Sequence, residues 1–131
     1  MREHDIYTMI ADYLRYQYPT VIYRFDLAAD LKLTMGQARK HKRLQRYRGY
    51  PDLFIAEPKG KYGGLFLEIK KAGTKIFKKD GAIVADAHIR EQYGMLEDLR
   101  FAGYAAEFAC GFDEAKKLID GYMKGRYAHA D

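Results

Sequence analysis

Three side chains near the middle of the chain have the types and spacing to do chemistry together. They are Asp52, which follows Pro51, and the acid and base Glu68 and Lys70, with fifteen residues between the two acids. Two carboxylates brought close together repel each other unless a proton neutralises one or a cation lies between them. Hard oxygen donors suit Mg2+ or Mn2+, and magnesium needs only one or two carboxylates because water and substrate phosphate complete its octahedron. An ion held in this way polarises phosphoryl oxygens and lowers the pKa of a bound water. A lysine beside it orients that water or offsets developing negative charge. Two acids and a lysine on neighbouring strands are therefore the smallest set that could cut a phosphodiester. Taken alone, acid-x-lysine also describes the solvated end of a strand.

Those side chains need two strands and a turn to bring them together. Asp52-Leu53-Phe54-Ile55-Ala56 is short, apolar after its first residue and preceded by Gly49 and Pro51, so it reads as a buried strand starting at the aspartate. Residues 57–64 are polar and rich in Gly and Pro, a hairpin connection to Leu65-Phe66-Leu67-Glu68-Ile69-Lys70. The two strands are expected to be antiparallel neighbours. Alternation in the second places Leu65, Leu67 and Ile69 on a core face and displays Phe66, Glu68 and Lys70 together on the opposite side.

The remaining elements follow from periodicity. Ile6, Tyr7, Ile10, Tyr13 and Leu14 give a helix from Glu3 to Tyr18, closed by Pro19. Glu3 lies one turn before Tyr7 and can share its core-facing edge, or it can simply complement the helix dipole. Residues 21–25 are β-branched and aromatic and are expected to pair with the Asp52 strand. Thr34 is the cap candidate for a helix within 33–48, whose segment 37–48 holds six Arg or Lys residues. Residues 70–86 read as a loop or hairpin. Asp86 can cap a helix through Arg100, with Ile89, Gln92, Tyr93, Leu96 and Leu99 along one stripe. A strand over 104–109 and a helix capped by Asp113 complete an alternating α/β order.

The basic run over 37–48 is the strongest local electropositive feature and a plausible cradle for backbone phosphates, with Arg39, Lys42, Arg43 and Arg46 the residues expected to touch them. A solvated helix face accounts for the same residues. Lys75, in the lysine-rich stretch after Lys70, is expected to add a substrate-facing charge.

Several of these segments together resemble a known family. Met1-Arg2-Glu3-His4, Arg48-Gly49-Tyr50-Pro51-Asp52-Leu53-Phe54, Gly64-Leu65-Phe66-Leu67-Glu68-Ile69-Lys70-Lys71, Glu91-Gln92 and the region 103–115 stand in the order and spacing of the VRR-NUC branch of the PD-(D/E)XK nucleases. The resemblance runs over nearly the full chain, although 71–88 is longer than the pattern leads one to expect. It implies a restriction-endonuclease-like α/β fold: a small mixed sheet flanked by helices in the order α-β-α-β-β-α-β-α. It further implies that Glu3, Asp52 and Glu68 bind Mg2+ or Mn2+ and that the main-chain carbonyl of Ile69 is another ligand. Lys70 would be the catalytic lysine, and Gln92 a polar residue projecting into the site. The implied activity is metal-dependent endonucleolytic hydrolysis of DNA. Standalone members are homodimers acting on branched DNA such as Holliday junctions. A flap, nick or general DNA nuclease, and a module of the same fold that binds nucleic acid without cutting, remain open alternatives.

Composition agrees with these expectations. The 131 residues suit one domain, and 48% hydrophobic content with twelve Tyr and seven Phe can supply a core. A formal charge of +5 favours a polyanionic partner. The lone Cys110 excludes an internal disulfide and, in an apolar run, reads as a buried thiol. The four histidines lack tight ligand spacing, so no zinc module is expected. No apolar stretch approaches membrane-spanning length, and the charged N-terminus lacks a signal-peptide pattern. The expectation is a cytoplasmic protein of a bacterial or phage-infected cell, without a membrane partner.

Overall fold

The computed structural model describes residues 2–26 and 32–129, so Met1 of the N-terminal motif lies outside the described residues. In chain order the elements are α1 (Glu3–Gln17), β1 (Tyr23–Phe25), α2 (Met35–Leu44), β2 (Leu53–Ile55), β3 (Leu65–Lys70), α3 (Ala87–Phe101), β4 (Ala105–Cys110) and α4 (Phe112–Met123). This is the order expected. The strands form one mixed sheet in the order β1-β2-β3-β4. The first two pairings are antiparallel, β2–β3 through a short hairpin connection and β1–β2 across a longer one that contains α2, and the β3–β4 pairing is parallel, which requires the crossover that α3 provides. The β2–β3 turn closes tightly at Gly64, where a Cβ would stand 2.7 Å from the Phe54 ring and 2.8 Å from the Ile55 carbonyl.

Leu65, Leu67 and Ile69 point into the main core as their alternation predicts. Leu53, Ile55, Ala105 and Ala109 join them from neighbouring strands, beneath Ile6, Ile10 and Leu14 of α1 and Ala115, Ile119 and Tyr122 of α4. Each large aliphatic side chain fully buried here contributes about 1.5–3 kcal/mol. The two helices are also tied by Asp120, whose carboxylate accepts from the hydroxyls of Tyr13 at 2.5 Å and Tyr18 at 2.7 Å and from Lys116 at 3.0 Å.

The opposite face departs from expectation. Instead of displaying Phe66, Glu68 and Lys70 to solvent, it carries a second core of Phe66, Ala106, Phe108, Leu96 and Ile76 beneath α3. Phe66 and Glu68 are buried and only Lys70 is half-exposed. The cause is the parallel β3–β4 connection, whose crossover helix must lie on one face of the sheet, so the strand is covered on both sides.

Two boundaries also differ. The basic helix ends at Leu44, leaving Arg46 and Arg48 beyond it, because α2 buries none of its residues and nothing prolongs it past its last turn. Its start is as expected: Thr34 accepts from the Gln37 amide at 3.1 Å while Gln37 reaches back to the Thr34 amide at 3.0 Å. The cap of α4 is Gly111, not Asp113, which lies in the first turn with Glu114 and complements the dipole there. Asp86 does cap α3, accepting from the amides of His88 and Ile89. Residues 71–86 are hairpin-like, with a Phe77–Ile83 bridge. Among the described residues no helix is long and apolar enough to cross a membrane.

Candidate active site

The β2–β3 register decides where the two acids meet. Leu53 pairs with Leu67 and Phe54 with Phe66. One further step in the same register sets Asp52 opposite Glu68, and residues directly opposed in an antiparallel pair share a face with Cβ atoms about 4.5–5.5 Å apart. Asp52 is held there from two sides. Its carbonyl accepts from the Asp26 amide at 2.7 Å, and its Oδ2 accepts from the Ile69 amide at 2.7 Å. The turn that delivers it, through the buried Pro51, begins at Gly49 with φ +74. A Cβ at Gly49 would lie 3.1 Å from the Glu91 carbonyl and 3.3 Å from the Gln92 Cα. Glycine thus lets the Asp52 turn seat directly on α3 beside Gln92.

Glu68 is 3% exposed. Two positions before it, Phe66 stacks on Phe54 at 4.4 Å and meets Tyr104 and Tyr50 edge-on at 5.2 and 5.6 Å. Burial pushes the Glu68 pKa far above the usual carboxylate range. A hydrogen bond with Asp52 and that residue's charge add to the rise, Lys70 opposes it, and the charge of Glu3 reinforces it. Without a cation, the buried pair therefore favours sharing a proton between Glu68 and Asp52. Glu3, half-exposed on the first turn of α1, reaches the site through its charge.

Lys70 closes the end of β3. Its charge acts on Glu68, on the Asp86 cap of α3 and on Cys110, its register partner in β4. Gln92 is buried, its Nε2 3.1 Å from the His88 ring Nε2, while its Oε1 has no hydrogen-bond partner. His88 is the residue that sequence reasoning missed. Its signal was the four-residue spacing from Gln92, which puts the two on one helix face. The Cys110 thiol, raised to about 11 by burial and by Glu114, stays protonated and inert.

Not every expected residue joins this cluster. Among the described residues, no group of three or more His, Cys, Asp or Glu side chains is gathered closely enough to hold a metal ion. Asp52 and Glu68 form the close pair, and Glu3 is the outlying acid. Arg39, Lys42 and Arg43 are exposed on α2, and Arg46 beyond it lies over the Tyr47 ring at 5.3 Å. Lys75 lines a cavity beside β4. The donor chemistry nevertheless fits a hard divalent ion. An acid pair that must share a proton gains by exchanging it for a cation, and the orphaned Gln92 oxygen lacks the donor that a metal-bound water would supply.

No protein-family model matches the chain, and no curated protein matches it. A solved structure described as "VRR_NUC domain protein" is similar to it, with 26% identity and a TM-score of 0.66 over 95% of this chain and 89% of that one. The likeness spans nearly all of both chains, and the sheet it covers is the one whose register opposes Asp52 to Glu68. The chain accordingly shares the restriction-endonuclease-like fold of that VRR_NUC domain protein, a likeness that supports a nuclease-type domain.

Proposed function

We propose that the protein is a Mg2+- or Mn2+-dependent DNA endonuclease, acting on branched DNA such as four-way junctions as a homodimer. The observation that carries this reading is the cross-strand pairing of Asp52 with a buried Glu68 whose pKa is driven upward. Asp52 and Glu68 would hold the ion, with the Ile69 carbonyl and Glu3 as the further donors the family implies. When bound, the ion supplies Lewis-acid polarisation of the scissile phosphate and a more acidic water. Asp52, fixed by the Ile69 amide through Oδ2, keeps Oδ1 for this role. Lys70 donates a hydrogen bond to the attacking water and offsets charge on the phosphate. The Gln92 Oε1 accepts from a water at the site, and the burial of Glu68 keeps bulk solvent from it. Exposed Arg39, Lys42 and Arg43 on α2 hold backbone phosphates, with Arg46 and Lys75 as further contacts. Two-fold pairing would set two such sites against two strands.

The test is incubation of labelled four-way junction, flap and duplex DNA with and without Mg2+ or Mn2+, comparing wild type with Glu68→Ala and Lys70→Ala. Metal-dependent product lost in both variants supports the reading, whereas equal cutting by all three proteins refutes it. One observation favours a second reading, a DNA-binding module that does not cut: the three acids are not gathered into one group. That module would bind junction DNA undiminished after Asp52→Ala and give no product with either metal.

A further inference from the structure

Along β4, at the free edge of the sheet, lies a cavity of about 1060 Å³. Residues 73–77 and Tyr93 wall one side, and α4 with residues 126–129 walls the other. It is separate from the acid pocket, because Glu3, Asp52, Glu68 and Gln92 do not line it. The two adjoin at one end: Cys110 lines the cavity and stands beside Lys70 in the β3–β4 register.

Its lining has two properties. First, it is electropositive. Lys75, Lys117 and Arg126 are exposed and make no ion pair among the described residues. The deeper acid, Glu107, is already engaged by His129 at 2.7 Å, by Arg100 at 3.8 Å and by the Tyr127 hydroxyl, leaving Glu114 as the opposing charge. Second, it presents an aromatic ring. Phe77 is 47% exposed and is steadied edge-on by Tyr93 at 5.9 Å. Cations along a groove with an accessible ring suit unpaired nucleotides, whose phosphates meet the cations while a base stacks on the ring. A duplex, with its bases already stacked on one another, cannot use Phe77 in this way.

We propose that this cavity is a binding site for single-stranded DNA, running from Lys70 along the β4 edge. It rests on DNA being the substrate and is independent of cleavage. The test is fluorescence anisotropy of a fluorescein-labelled fifteen-nucleotide oligothymidine in EDTA, with thermal melting to verify that each variant is folded. Phe77→Ala, at an exposed position, should weaken binding at least about fivefold through the lost stacking. Neutralising Lys117→Gln and Arg126→Gln together should reduce the salt slope by about 1.4, as expected for two phosphate contacts on a single strand.

Absence of oligothymidine binding, or binding unaltered in both variants, overturns the proposal. So does polyglutamate binding as tightly with no dependence on Phe77, which would assign the groove to an acidic protein segment. Metal-dependent junction cleavage without oligothymidine binding would remove this site and leave the nuclease reading intact. Binding with the expected losses but no cleavage of any DNA would do the reverse.

Discussion

Replacing Glu68 with glutamine removes the charge that the buried pocket disfavours while keeping the side chain's size. In the metal-free protein the folded-state pKa of Glu68 lies well above its ordinary value of 4.5, with burial the largest cause. The folded state therefore holds a proton that the unfolded chain has released, so stability is fully present below the unfolded pKa and is lost as pH rises. At about 1.4 kcal/mol per unit, the span from the unfolded pKa to the pH 7.5 of the assay amounts to at most about 4 kcal/mol. Pocket relaxation and water penetration reduce this to about 1–3 kcal/mol. Glu68→Gln cannot ionise and should escape the loss. In EDTA at pH 7.5 its urea-unfolding free energy should exceed the wild type's by that amount, a rise in Tm of roughly 4 °C per kcal/mol for a domain of this size. At pH 4.5 the two proteins should agree within about 1 kcal/mol, the worth of one altered hydrogen bond. Added Mg2+ should raise the wild-type Tm more than the variant's. A variant no more stable than wild type at pH 7.5 would refute the claim that Glu68 is a desolvated acid paired with Asp52.

Three other outcomes follow from named contacts. Gly49→Ala must hold φ +74 with its Cβ 3.1 Å from the Glu91 carbonyl, so it should cost about 1–3 kcal/mol in urea unfolding and reduce cleavage by displacing Asp52. Removing the acceptor with Asp120→Ala leaves the Tyr13 and Tyr18 hydroxyls and the Lys116 ammonium without their partner, at a cost of about 2–4 kcal/mol. Burial opposes ionisation of Asp120, but hydrogen bonds from Tyr13, Tyr18 and Lys116 outweigh it and lower its pKa below 3.8. Its contribution is present above that value and fades as pH falls through the folded pKa, so an acid titration of stability should show a loss that Asp120→Asn lacks. Neutralising Arg39, Lys42 and Arg43 together should reduce the salt slope of duplex binding by about 2.7. The Tm should not move, because α2 buries nothing, and an unchanged slope would show that the helix does not touch phosphate.

The order of elements and the chemistry at positions 52, 68 and 70 were legible in the sequence because they rest on local rules. A Gly- and Pro-rich turn between two apolar runs makes a hairpin, and period-two alternation sends Leu65, Leu67 and Ile69 to one face. The N-terminal stripe gave α1 to within a residue of its observed end, and Thr34 and Asp86 announced two helix starts. The capping of α4 was less legible, since the left-handed backbone that makes Gly111 its cap has no signature separate from an ordinary turn glycine.

Tertiary structure decided the rest. Nothing local in Leu65–Lys70 distinguishes a face open to water from one under a helix. The parallel return to β4 lays α3 over Glu68, and that burial turns an ordinary carboxylate into one that keeps its proton. The bond from the Ile69 amide to Asp52, the seat of Gly49 on α3 and the orphaned oxygen of Gln92 all join residues distant in the chain or depend on what surrounds them. The sequence by itself determined which groups could do the chemistry and which strands carry them. Their protonation, and the distance of Glu3 from the other two acids, were set only when strands and helices packed, because dielectric environment and through-space charge belong to the assembled structure.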